Sequence, residues 1–222
     1  MKIIVSNEIE QVCPQFVGAA VEAWVKNSAY SEALWQEIDA LCEEYRKTLS
    51  VDMIKEWDPI RETRAVYRRC GKDPSRYRPA AEALIRRVLQ GKALYQIDTL
   101  VDLINLASMR YGYSIGGFDA DKFVGDTLTL GIGRHDEPYE GIGRGMINIE
   151  GLPVYRDAEG GVLIPGLLCS IEGFHILLRN LIIPHLFFYF FVLAVSCFFL
   201  GKQSCKFFIQ VFYLRNFSVR KF

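Results

Sequence analysis

VDLINLASMRYGYSIGGFDADK, residues 101–122, decides how the chain is read. Leu100, Ile104, Ala107 and Tyr111 recur at the spacing of one helix face, Asp98 stands where an N-cap belongs, and Gly112 stands where a helix stops. Beyond it the helical period is lost. Gly116 and Gly117 come in succession, then Phe118 and the acids Asp119 and Asp121. Two glycines in succession permit a sharp corner.

Outward from this boundary the two sides differ. Upstream, Leu34, Ile38, Leu41 and Tyr45 mark a helix over 31–48 with Ser31 as cap. Asp58, Pro59 and Gly71 bracket a second, and Pro79 to Gly91 brackets a third on Leu84, Ile85, Val88 and Leu89. Ile3–Val5 reads as a strand. Downstream, DTLTLGIGR (126–134) and GMINIEGLPVYRD (145–157) are short β-like runs cut by glycine. The element GIGR occurs at 131–134 and 141–144, but neither copy has the spacing of a phosphate-binding loop. The expected fold class is α+β, a helical N-terminal part packed on a glycine-rich, bulged β unit.

The formal net charge of zero conceals four blocks. Residues 1–60 carry 5 Lys/Arg against 11 Asp/Glu, residues 61–92 carry 10 against 3, residues 93–172 carry 5 against 12, and residues 173–222 carry 6 against none. In the basic block, Arg61, Arg64 and Arg68 share one helix face, Arg69 and Arg76 follow, and Arg86 and Arg87 lie on the next helix. Tyr67, Tyr77 and Arg78 stand between. A guanidinium donates two parallel hydrogen bonds to a phosphate, and tyrosines offer stacking surfaces to unpaired bases. The pattern fits an RNA backbone; the rival is a solvated helix pair neutralised by its acidic flanks.

Other chemistry is weakly signalled. Six cysteines have neither C-x-x-C nor metal-ligand spacing, so reduced, mostly buried thiols are expected. Asp119, Asp121 and Asp126 lack the closing Glu of a calcium loop. His135, His175 and His185 have no nucleophile in a recognised context. Neither metal nor cofactor is called for. The opening residues lack an apolar signal segment, and a cytoplasmic location is expected.

RYRPAAEALIRRVL (76–89), VDLINLASMRYGYSIGGFDADKFVGDTLTL (101–130) and EPYEGIGRGMINIEGLPVYRDAEGG (137–161) together resemble stand-alone B3/B4 domain proteins. These are relatives of the tRNA-binding B3/B4 region in the beta subunit of phenylalanyl-tRNA synthetase. The resemblance covers roughly residues 55–162, leaving residues 1–54 as an N-terminal helical region. It implies a barrel-like sheet, and a pocket that Asp102 and Asn105 face from a V-D-x-x-N helix beside the corner Gly116, Gly117, Phe118 and Asp119. In the synthetase this pocket hydrolyses tRNA carrying the wrong aromatic amino acid, yet Gly116 stands where the pattern L-H-A-F-D has histidine. RNA binding, with tRNA as partner, is the leading expectation. The alternatives are a free-standing aminoacyl-tRNA deacylase, whose partner would include the aminoacyl group, and a small-molecule-binding module.

After Gly161 the resemblance stops. Twelve of the 15 phenylalanines lie in residues 173–222, where no acid occurs. An aberrant tail over 163–222, the product of a shifted reading frame that leaves the sheet without its last strand, is the favoured explanation. Alternatively residues 181–200, flanked by Arg179, Lys202 and Lys206, have the length of a single membrane span.

Overall fold

The computed structural model describes residues 2–25, 27–119, 122–141, 145–163 and 205–214. In chain order they form β1 (Lys2–Val5), α1 (Asn7–Val12), β2 (Phe16–Val25), α2 (Glu32–Thr48), α3 (Val51–Ile54), α4 (Asp58–Arg69), α5 (Ala80–Leu89) and α6 (Thr99–Tyr111). The β part follows: β3 (Ile115–Asp119), β4 (Thr127–Ile132), β5 (Glu140–Gly141), β6 (Gly145–Met146), β7 (Pro153–Arg156), β8 (Val162–Leu163) and β9 (Cys205–Leu214). The α+β class is as expected.

The helix boundaries follow local chemistry. Ser31 caps α2 by accepting from the Leu34 amide, and Asp98 caps α6 by accepting from Leu100 and Val101. At the second helix the expectation was off by one residue: Trp57 holds the cap and Asp58 is already helical. Gly112 ends α6 in the left-handed conformation (φ +73°), and a Cβ there would stand 3.3 Å from the Trp57 ring. The chain therefore turns at Gly112, pinned against the start of α4.

Among the described residues α4 serves both of the larger cores. Leu34, Ile38 and Tyr45 of α2, Ile60 of α4, Leu84, Ile85 and Val88 of α5, and Leu103, Leu106 and Met109 of α6 make the helical core. Val66 and Cys70 at the other end of α4 instead meet Ile9, Phe118, Leu128, Leu130 and Tyr155, between the helices and the strands. The three described cysteines outside β9 are buried free thiols. Desolvation pushes Cys70 up to about 12, with nearby Cys13 adding to the shift.

The strands do not make a barrel. They lie in three sheets of order β1-β4-β7-β8, β2-β9-β3 and β5-β6, each with two ends, and none closes on itself. The expected barrel-like unit is thus corrected. β1 runs parallel to β4, which places an N-terminal strand on the edge of the glycine-rich sheet. Close packing explains one of the GIGR glycines: a Cβ on Gly133 would overlap the Ile149 carbonyl, where the chain exchanges the hydrogen bonds Gly133 N to Leu152 O and Gly151 N to Gly133 O.

β9 is the main departure from expectation. Cys205–Leu214 lies between β2 and β3, antiparallel to both, so the sheet expected to lack its last strand has one at its centre. The 181–200 stretch lies outside the described residues, among which no helix is long and apolar enough to cross a membrane.

A chain ended after residue 163 should therefore lose cooperative folding, because β2 and β3 have β9 as their common partner and would both become bare edges. Far-UV circular dichroism melting and sedimentation of the full and shortened chains test this. A soluble, shortened monomer melting with the full-length transition would show that β9 is dispensable.

Candidate nucleic-acid interface

The basic segment folds as α4, a turn over 74–77, and α5. The two helices are joined by one buried carboxylate. Glu82, fully buried on α5, accepts 2.7 Å from Arg64 Nη1 and 2.9 Å from Arg86 Nε. Arg64 also donates to the Pro74 carbonyl at 3.1 Å and lies 3.4 Å from Ser75 Oγ. A buried ion pair is held only when its hydrogen-bonding groups find partners, and here the turn supplies them.

This arrangement sorts the expected arginines. Arg64 shares a face with Arg61 and Arg68, as its spacing requires, but α5 and the turn cover it; it is 8% exposed and committed to Glu82. Its expected part in phosphate contact is corrected for that reason. Arg61 is exposed and pairs with Asp58 at 2.6 Å. Arg68 and Arg69 are exposed at the end of α4, with the Arg69 guanidinium beside the Cys13 thiol. Arg76 is exposed on the turn. Arg87 donates from Nε to the Ala93 carbonyl at 2.6 Å and sets its guanidinium 4.0 Å over the Tyr95 ring.

Between the turn and α5 lies a groove of about 380 Å³ lined by Arg76, Tyr77, Arg78, Ala80, Ala83, Arg86, Arg87, Gln90, Lys92 and Ile147. Five of these residues are cationic and none is acidic. Of the five, only Arg86 has an ion-pair partner among the described residues. The carboxylates that pair with the basic segment are Asp58, Glu62 and Glu82, all from α4 and α5 themselves. The acidic flanks do not neutralise the groove among the described residues.

A second cleft, of about 580 Å³, adjoins the groove through Arg76 and Tyr77. Lys72 forms its floor: Nζ donates 2.9 Å to Asn148 O and 2.6 Å to Glu150 O, and sits 3.8 Å over the Tyr77 ring. Burial lowers the Lys72 pKa, opposed by the Glu150 carboxylate and aided by Arg76. The lysine thus stitches the end of α4 to the turn before β7. Tyr67, expected among the stacking surfaces, is instead buried against Ile149, Leu152 and Val154.

The residues of the expected pocket lie on two elements in contact, α6 and β3. Asp102 is buried on α6, accepting from Trp35 Nε1 at 2.7 Å and the Ile97 amide at 3.2 Å, so it ties α6 to α2 and to the preceding loop. Desolvation raises its pKa, the two hydrogen bonds oppose the rise, and Asp98 adds to it. Asn105 is half-buried on α6. Gly116, Gly117, Phe118 and Asp119 are not a corner but β3, each paired along β9 with Gln210, Ile209, Phe208 and Phe207. Neither the groove nor the adjoining cleft is lined by any of the six.

Sequence reading passed over Lys92 and Tyr95 and gave Arg78 no role of its own. Lys92 and Tyr95 lie in the connector after α5, outside any periodic pattern, and only the fold returns them to the groove or to Arg87.

An α+β fold in which a basic helix pair packs against glycine-broken strands is the class defined by these features. The model of the B3/4 domain family matches residues 62–172, half of the chain, and the chain belongs to that family. No curated protein and no solved structure matches it.

Two substitutions test the site's framework. Glu82→Ala leaves one buried and one partly buried guanidinium group without their carboxylate and should cost about 3 kcal/mol or more in urea denaturation, with Glu82→Gln in between; a loss below about 0.5 kcal/mol would show that water replaces the carboxylate. For Asp102, a folded pKa raised above the unfolded one contributes stability at low pH that is lost as pH rises through the folded pKa. Wild type should therefore gain stability relative to Asp102→Asn as pH falls from 7 towards 4, and an offset independent of pH would refute the raised pKa.

Proposed function

We propose that this B3/4 domain protein binds RNA along the groove between the 74–77 turn and α5, with tRNA as the partner suggested by its resemblance to the B3/B4 region of the synthetase. The observation that carries the reading is the lining: Arg76, Arg78, Arg86, Arg87 and Lys92 with no carboxylate among them. Phosphates neutralised by such cations release condensed counterions, which gives affinity and steep salt dependence without sequence preference. Three of the cations, Arg76, Arg78 and Lys92, are exposed. Arg86 is oriented by Glu82 and Arg87 by the Ala93 carbonyl, so two of the five are held in place before any ligand arrives.

Arg76→Glu with Arg78→Glu is the informative variant, because neither side chain has an ion-pair partner to lose among the described residues. Reversing Arg64 or Arg86 would break the buried cluster and confuse binding with folding. In a gel-shift titration of tRNA at about 0.1 M salt the double variant should bind more than about tenfold more weakly, and the slope of log K against log salt should become shallower by at least about one unit. An unaltered affinity and slope in a variant that melts like wild type would remove the groove from RNA binding.

A further inference from the structure

The groove is lined by cations, but one of them is built differently from the rest. The Arg87 guanidinium is fixed at two points, through Nε to the Ala93 carbonyl at 2.6 Å and through its face to the Tyr95 ring at 4.0 Å. Arg76, Arg78 and Lys92 have no comparable anchor among the described residues. Tyr95 is 60% exposed although one face of its ring is covered by the guanidinium, so the other face is open to solvent. Tyr77 offers no equal surface. Its ring is half-buried, capped by Lys72 Nζ, and packed against the cluster of Ile149 and Leu152. Arg87 thus joins the cationic lining of the groove to an ordered cation–aromatic stack on Tyr95, which lies beside that lining.

We propose that the groove takes an unpaired, single-stranded stretch of RNA, one base of which stacks on the Arg87–Tyr95 pair while neighbouring phosphates lie along Arg76, Arg78 and Lys92. The inference rests on the RNA reading and names the form of RNA. In a duplex the base faces are enclosed within the stack, so a duplex can satisfy the cations but not the open face of Tyr95. A single strand can satisfy both, and each base stacked on an aromatic contributes about 1–3 kcal/mol. Arginine suits the position because its planar, delocalised cation stacks on one face of Tyr95 and leaves the other face to the base, whereas a lysine ammonium has no face to offer. The order already imposed on Arg87 lowers the entropic cost of that stack.

The test uses the full chain and two labelled RNAs of about 12 nucleotides, within the footprint of single-strand binding modules. One is single-stranded and the other is the same sequence in a blunt duplex. Their affinities are read by fluorescence anisotropy for wild type, Tyr95→Ala, Tyr95→Phe and Arg76→Glu. Tyr95 is exposed, so its variants should melt like wild type. Wild type should prefer the single strand; Tyr95→Ala should weaken single-strand binding by about fivefold or more, the equivalent of one lost stacking contact, and leave duplex binding within about twofold. Tyr95→Phe should retain the preference, and Arg76→Glu should weaken both RNAs. Equal binding of both RNAs, weakened by Arg76→Glu, or a Tyr95→Ala variant indistinguishable from wild type, overturns the stacking inference while the RNA reading stands. Binding of neither RNA, or binding indifferent to Arg76→Glu, overturns both.

Discussion

A single buried carboxylate organises the basic part of this protein. Glu82 has no contact with solvent, and it holds Arg64 of α4 and Arg86 of its own helix at hydrogen-bond distance. Desolvating three ionised groups is expensive, and a similar volume of apolar side chains would pack α4 on α5 at lower cost. What the ionic arrangement provides instead is register. A guanidinium directed at one carboxylate and one turn carbonyl allows a narrow range of positions for α5 against α4, and that position sets the width of the groove.

The effect of this constraint reaches further because α4 belongs to both cores. Its first turn buries Ile60 among the helices and its last turns bury Val66 against the strands, while Lys72, just beyond its end, reaches the carbonyls of Asn148 and Glu150. A shift of α4 relative to α5 would therefore disturb the helical core and the adjoining cleft together. Residues with free carbonyl partners in water would gain little from such contacts; a lysine 7% exposed gains them at the cost of its own hydration. The glycine at 151 makes the approach feasible, since a Cβ there would stand 3.0 Å from the Cys70 carbonyl.

What could be read from the sequence was what depends on near neighbours. Four helices were legible because their apolar faces repeat and because Ser31, Pro59, Asp98 and Gly112 mark their ends by local hydrogen-bonding and backbone rules. The family was legible from contiguous stretches on either side of α6. The site was less so. Arg64 and Arg68 are indistinguishable in spacing, and only the packing of α5 decides that one is covered and the other free. Asp102 is expected at a pocket because its sequence neighbourhood resembles one; its hydrogen bond from Trp35, 67 residues away, could not be read from that neighbourhood. β2 was missed because Phe16–Val25 carries neither a turn signal nor strict alternation, and its ladder is provided by β9, nearly two hundred residues later.

The groove also explains why charge segregation need not vanish on folding. Net neutrality would let the acidic blocks cover the basic one, but among the described residues the ion pairs of α4 and α5 are made within those helices, with Asp58 at the edge of the first acidic block and with Glu62 and Glu82, and none reaches Arg76, Arg78 or Lys92. Exposed like charges repel, by a few tenths of a kcal/mol for each neighbouring pair. Having no carboxylate partner for Arg76, Arg78 or Lys92 among the described residues is thus a small but standing loss of stability. A fold shaped for stability alone would place an acid among them, and the sequence has 26 acids to draw on. On the proposed function the lining is surface kept for an anion outside the chain, and the ordered Arg87 beside Tyr95 is the feature that would favour an anion carrying a flat, unpaired ring.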